Sequence, residues 1–237
     1  MTLFKKIASH CWVLGCLGLA ACQLPSKDSS VIQDVLAILP GKPTKGSTQA
    51  LSDERAYQEG IILRDTERGH EAAYHAGLSS LADYESFFSK LMGVEISEKV
   101  TPTIHKVLKR VFTLSKKAIN TAKKQNPRIR PYAAHPGDKT CRPDLIDRTN
   151  IRNSYPSGHT GEAWSVGLIL AEIYPDKANR ILEAARQAGD SRWICGYHWK
   201  SDVEDARTLV EQSVTRLKKE KAFIKQLEMA KREAIGM

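Results

Sequence analysis

The sequence predicts an all-α, single-domain helical bundle, and three observations carry that expectation. Apolar residues recur at three- and four-residue spacing from Ser52 onward, start and stop residues fall at the ends of those runs, and no useful stretch alternates as a strand does. The 237 residues, 41% hydrophobic, suffice for one domain with a real core and are tight for two.

The elements follow in order. Ala56, Ile61, Ile62 and Leu63, then Ala72, Ala73, Ala76 and Leu78, mark the first helical stretch. Ser80 is placed to cap a helix through Leu91 that Gly93 ends. Thr101-Pro102 reads as an N-cap with proline in the first turn, and Val107, Leu108, Val111, Leu114 and Ala118 carry that helix to about Lys124, before Pro127. After an irregular basic stretch come an apolar helix over 158–174, another over 176–188, and one or two over 198–231. For the basic amphipathic C-terminus, packing by its apolar face is preferred to lying on anionic lipid.

Upstream, Lys5 and Lys6 precede an apolar run from Cys11 to Cys22 that ends in small residues, the layout of a secretory signal peptide. The run is well short of the roughly 20 residues of a spanning helix, which excludes a polytopic membrane protein. Leu19-Ala20-Ala21-Cys22 resembles the bacterial lipoprotein box, which implies a lipid on Cys22, and Gln23 after it favours the outer membrane. The organisation expected is 1–21 signal peptide, 22–50 lipidated tether rich in Pro, Gly and Ser, 51–215 folded domain, and 216–237 basic C-terminal helical tail. The protein would sit on the periplasmic side of the envelope, held to the membrane by its N-terminal lipid. Cys141 and Cys195 then remain in an oxidising compartment, where pairing is preferred to two buried free thiols and is worth about 4 kcal/mol on a chain-entropy model. The net charge of +9 permits an anionic partner, but aromatics are 7% and no nucleic-acid-reading motif is present, so no nucleic acid is expected.

Three clusters bear on chemistry. Lys123 and Arg130-Pro131 close a helix and open a loop, which alone is no more than a dipole complement and a surface arginine. Tyr155-Pro156-Ser157-Gly158-His159-Thr160 precedes the apolar helix, so Ser157 and Gly158 put a hydroxyl and backbone N–H groups at its positive end. That suits a phosphate oxyanion, and equally a plain capped turn. Ser191-Arg192 is followed by His198 and Asp202, four apart, so the carboxylate can hold one imidazole nitrogen as N–H and leave the other as nucleophile or base. By themselves the two also fit a surface pair.

Taken together, Lys123-x6-Arg130-Pro131, Pro156-Ser157-Gly158-His159 and Ser191-Arg192-x5-His198-x3-Asp202 resemble the three-part signature of the acid phosphatase and vanadium haloperoxidase superfamily, which includes the type 2 phosphatidic acid phosphatases. The closer resemblance is to the class A bacterial non-specific acid phosphatases, through residues 154–160, 195–203 and the upstream 63–69. It implies a metal-independent phosphomonoesterase with that family's helical fold and no cofactor. Lys123, Arg130 and Arg192, with Ser157 and Gly158, would bind the phosphoryl oxygens. His198 would attack phosphorus and form a phosphohistidine, Asp202 would orient it, and His159 would protonate the leaving oxygen. The partners implied are phosphate monoesters, inorganic phosphate as product and vanadate as inhibitor; an oligomer is left open. Cys141 and Cys195 fall where the class has paired cysteines. The departures, Arg152-Asn153 before Ser154 and Tyr132-Ala133-Ala134 after the Arg-Pro pair, flank the site and bear on substrate preference. Two rivals are a vanadium-dependent haloperoxidase and a catalytically silent anchored lipoprotein. His70, His75, His105 and His135 show no metal-ligand spacing and are expected at the surface or as satisfied core groups, with His135 a candidate for the pocket mouth.

Overall fold

A computed structural model describes residues 27–148 and 150–236. They form ten α-helices, two 3₁₀ turns and no strand. The signal segment and Cys22 lie outside the described residues. The helices are α1 (Lys27–Leu36), α2 (Thr48–Leu63), α3 (Glu67–Ala76), α4 (Leu81–Met92), α5 (Pro102–Gln125), α6 (Pro131–Ala134), α7 (Gly158–Ile173), α8 (Ala178–Ile194), α9 (Lys200–Leu217) and α10 (Lys221–Ile235).

The expected cap forms at α4 but not at α5, where the Thr101 hydroxyl bonds the Ser97 backbone and makes no cap bond. The Ser80 hydroxyl accepts from the Asp83 amide while the Asp83 carboxylate takes the Ser80 amide, and Gly93 closes α4 at φ 69°. Pro102 opens α5. α7 is buried on nearly every side, as its sequence requires, and α5, α8 and α9 pack around it. Val166, Ile169 and Leu170 have no exposed surface, so truncating Leu170 to alanine costs roughly 2–5 kcal/mol. This central helix brings its N-terminus, with Ser157-Gly158-His159, to one end of the bundle.

Two boundaries differ from the sequence reading. Within the segment taken as a tether, α1 packs Ile32 and Val35 into the core, because Val31, Ile32, Val35 and Leu36 recur at helical spacing. α8 continues past 188 to Ile194. Gly189 lies inside it, where a Cβ would stand 2.8 Å from the Thr160 methyl and 2.9 Å from the Arg207 guanidinium, so the glycine serves close packing and does not stop the helix. The basic tail is α10, which packs by its apolar face as expected, with Phe223, Leu227 and Ala230 in the main core.

Candidate active site

Several chain segments meet at the start of α7. The last turn of α5 delivers Lys123. Arg128 and Arg130 are held against 151–154 by Arg128 N to Arg152 O and Arg130 N to Ile151 O, both 2.8 Å. The end of α8 carries Arg192, and Gly196, at φ 78°, turns the chain so that the Tyr197 and His198 amides donate back to the Arg192 carbonyl at 3.0 and 3.2 Å. The first turn of α9 supplies Asp202, whose carbonyl takes the Ser157 amide at 2.9 Å. The Cys141–Cys195 disulfide, with Cα atoms 4.8 Å apart, ties the 135–150 loop to the end of α8.

His198 is 2% exposed and its ring is fixed at both nitrogens. Nδ1 lies 2.7 Å from the Ser154 carbonyl oxygen, which can only accept, so Nδ1 carries the proton. Nε2 therefore presents its lone pair, and it receives Nη1–H of Arg130 at 2.9 Å. The sequence reading gave the orienting bond to Asp202, but the Asp202 carboxylate is 3.6 Å from Nδ1. It accepts instead from Ser154 Oγ at 2.5 Å, the Trp199 amide at 2.9 Å and Arg128 Nη1 at 2.6 Å. Asp202 thus positions His198 chiefly by fixing Ser154, the residue whose carbonyl holds the ring.

The cations converge on the same place. Lys123 donates to the Asn153 and Pro156 carbonyls at 2.7 and 2.6 Å. Arg130 donates to the Tyr197, Asn150 and Asn153 carbonyls. Arg192 is 3% exposed with its guanidinium over the Tyr197 ring, and its Nε and Nη1 have no hydrogen-bond partner among the described residues. Ser157 Oγ accepts from Thr160 at 2.8 Å, so its own proton is left to donate elsewhere. The Gly158 and His159 amides, in the first turn, have no helical carbonyl behind them. His159, Arg192 and Tyr197 line a cavity of about 270 Å³ with Ala76, Gly77, Ser79 and Leu145.

The PAP2 superfamily profile matches residues 110–205, the span from mid-α5 to the start of α9. The chain is 41% identical to the non-specific acid phosphatase of Providencia stuartii over 208 residues, 87% of this chain and 83% of that protein. It is 33% identical to the non-specific acid phosphatase of Salmonella typhimurium over 82% of this chain and 78% of that one. It is 30% identical to an acid phosphatase of Zymomonas mobilis over 88% and 78%. The chain belongs to the class A bacterial non-specific acid phosphatases. Its activity is that of an acid phosphatase, hydrolysis of phosphate monoesters.

The electrostatics of this phosphatase suit an anion. Burial, then Arg130, holds the His198 imidazole well below its ordinary pKa, and burial, then Arg192, does the same to His159. Burial and the neighbouring Arg130 bring Lys123 down to about 7 and Arg192 to about 10. Two buried guanidinium groups and the part-buried Lys123 therefore repel one another around a carboxylate, Asp202, that Arg128 already pairs. A phosphoryl dianion relieves that repulsion.

Sequence reasoning missed the groups behind this cage. Arg128 bridges Asp202 to Asp53 of α2 at 2.6 Å each, and Asp53 also takes the Ser201 amide and hydroxyl. Arg128 is two residues from Arg130 and was legible only as part of a basic stretch, while Asp53 is far away in sequence and carries no local signal. The upstream 63–69 segment acts as a brace: Arg64 Nε donates to the Ile194 carbonyl at 2.7 Å and Arg68 to Ser191 Oγ at 3.0 Å. Glu162 is 7% exposed one turn along α7 from His159; burial raises its pKa, and Lys116 at 3.3 Å opposes that. His135 stacks on Tyr57 and meets Glu54 at 3.0 Å, away from the cavity lining. His75 bonds Ser191 Oγ, His105 bonds Glu85, and His70 is exposed. Among the described residues no group of three His, Cys, Asp or Glu side chains is placed to hold a metal ion.

Proposed function

We propose that this phosphatase transfers the phosphoryl group to Nε2 of His198 and then to water. The observation that carries the reading is the state of that ring: Nδ1–H is committed to the Ser154 carbonyl, so the lone pair is on Nε2, beside Arg130 and facing the cationic cage. Burial shifts the imidazole toward its neutral, nucleophilic form. The bound dianion draws Arg130 from Nε2 onto the phosphoryl oxygens, joining Arg192, Lys123, Ser157 and the Gly158 amide. Nε2 forms the N–P bond as the P–O bond to the leaving group breaks. Burial, then Arg192, lowers the His159 pKa in the free enzyme; once the dianion offsets Arg192, His159 takes a proton from solvent and passes it to the leaving oxygen. It then takes a proton from water, which attacks phosphorus and releases inorganic phosphate with Nε2 free again.

Vanadate, which takes the trigonal bipyramidal form of the transferring group, is an expected competitive inhibitor. The cavity beside His159 admits part of a soluble alkyl or aryl phosphate. The site of action is the periplasmic face of the envelope, with the lipid on Cys22 as anchor, a reading supported by Lys5-Lys6, the apolar run and Leu19-Ala20-Ala21-Cys22. Cys22→Ser should then be released from the membrane fraction by high salt, which leaves the parent in place.

A common phosphoenzyme makes product partitioning independent of the leaving group. With an alcohol added as a competing acceptor, the ratio of phosphate ester formed to phosphate released should be the same for p-nitrophenyl, phenyl and glycerol phosphates. A ratio that changes with the leaving group refutes a shared intermediate.

A further inference from the structure

Away from the catalytic end, the start of α5, the exposed side of α10 and the start of α1 form one face. Pro102, Lys106 and Val107 of α5 and Ala222, Lys225 and Met229 of α10 line a groove of about 500 Å³. A second hollow shares Lys106 with it and adds Asp28, Lys109, Arg110 and Lys117. A third shares Ala222 and adds Arg216, Lys219, Glu220 and Lys221. The three are continuous, and together they present eight cationic side chains against two carboxylates. Both carboxylates are engaged, Asp28 and Glu220 each pairing with Arg110, so Lys106, Lys221 and Lys225 carry exposed charge that they do not offset. Inside this rim the surface is apolar, with Met229 half exposed over the groove.

We propose that this face docks on an anionic phospholipid leaflet, headgroup phosphates on the lysine rim and Met229 with the groove against the apolar boundary. Charge complementarity and the apolar centre fit a lipid surface better than a soluble polyanion, which needs only the lysines. The course of the chain agrees. The described residues begin at Lys27 on this same face, and Cys22 is five residues upstream, within roughly 18 Å of fully extended chain. The docking force is electrostatic and separate from any acyl chain. Lys123 lies 17 residues beyond Lys106 on α5, about 25 Å along the helix, so changes at the groove leave the cage intact and hydrolysis reports correct folding.

The test uses the full chain carrying Cys22→Ser, so that no acyl chain contributes, sedimented with vesicles of phosphatidylcholine alone or with phosphatidylglycerol at about a third of the lipid. Binding that is equal on both vesicle types measures any residual apolar insertion; the excess on phosphatidylglycerol measures this face. That excess should be large at low salt and vanish at high salt. Each lysine near the surface is worth roughly fivefold, so Lys106→Glu, Lys221→Glu and Lys225→Glu, which also add negative charge, should together lower the excess partition by at least ~100-fold with p-nitrophenyl phosphate hydrolysis unchanged. The control, Lys90→Glu, Lys139→Glu and Arg180→Glu, makes the same change in net charge at exposed positions that line none of the three hollows, and should lose far less. Equal binding to the two vesicle types, or equal losses in the two triple variants, overturns the proposal. Retention on heparin without vesicle binding assigns the face to a soluble polyanion and also overturns it.

Discussion

Replacing Arg192 by methionine should make this phosphatase more stable and nearly inactive. The guanidinium is 3% exposed, and Nε and Nη1 have no partner among the described residues. Burial and Arg130 bring its pKa down to about 10, which corresponds to about 3 kcal/mol against the charged form. Two unmade buried donors, at roughly 1–3 kcal/mol each, express the same cost in another way and do not add to it. Against this stands the contact with the Tyr197 ring, 4.6 Å from the guanidinium carbon, worth about 1 kcal/mol. The balance favours the variant by about 1–2 kcal/mol, a rise in Tm of roughly 2–8 °C for a chain of this size. Methionine cannot donate to phosphoryl oxygens, so kcat should fall by at least ~10²–10³. Thermal unfolding followed by circular dichroism in phosphate-free buffer, then with added phosphate, reads both effects. Phosphate should raise the wild-type Tm and raise that of the variant less, because the ligand stabilises by what it binds. A phosphate-free Tm of Arg192→Met below that of the wild type would show that the guanidinium is already satisfied in the free enzyme, and the reasoning fails.

Three further outcomes follow from the same site. Lys123 is brought to about 7, so above that pH the unfolded chain holds a proton that the folded chain has lost; wild-type stability should therefore gain on Lys123→Met by about 1.4 kcal/mol per pH unit from about 7 toward the ordinary lysine value. Urea midpoints across that range check this, and a difference independent of pH refutes it. His159→Ala should slow hydrolysis of glycerol phosphate at least tenfold more than that of p-nitrophenyl phosphate, because only the alkoxide needs a proton to leave; equal losses in kcat would remove His159 from that role. Reducing Cys141–Cys195, which closes a separation of 54 residues, should cost about 4 kcal/mol in urea unfolding, whereas an unchanged midpoint would show that the bridge stabilises nothing.

What the sequence disclosed and what it hid divide by range. α4, α5 and α7 were legible because Ser80, Pro102 and the apolar run after Gly158 act within a few residues of the structure they set. Lys123, Arg130, Ser157, Arg192 and His198 were identified as one set by motif, and the fold does gather them at one end of the bundle. The spacing of His198 and Asp202 suggested a direct bond that the structure replaces. In the first turn of α9 the Asp202 carboxylate folds back to the Trp199 amide and to Ser154, and the imidazole takes a carbonyl instead. Asp53 and Arg64 act across most of the chain, so their roles follow only from the packing of α2 on α8 and α9. The roles that the resemblance implies, His198 as nucleophile and His159 as acid, need opposite protonation states. Burial beside the same cations lowers both, so in the proposed reaction His159 has to take up its proton as the substrate binds.

The claim on which the account turns is that Nε2 of His198 is the atom that bonds to phosphorus. Rapid quenching of the His159→Ala variant with ³²P-labelled p-nitrophenyl phosphate, followed by peptide mapping under alkaline conditions, locates the trapped phosphoryl group. The account predicts acid-labile label on the peptide containing His198, attached to Nε2, and none in the same variant with His198→Ala. Label on Nδ1, on a serine or on any other peptide, or a phosphoenzyme that survives loss of His198, would contradict it.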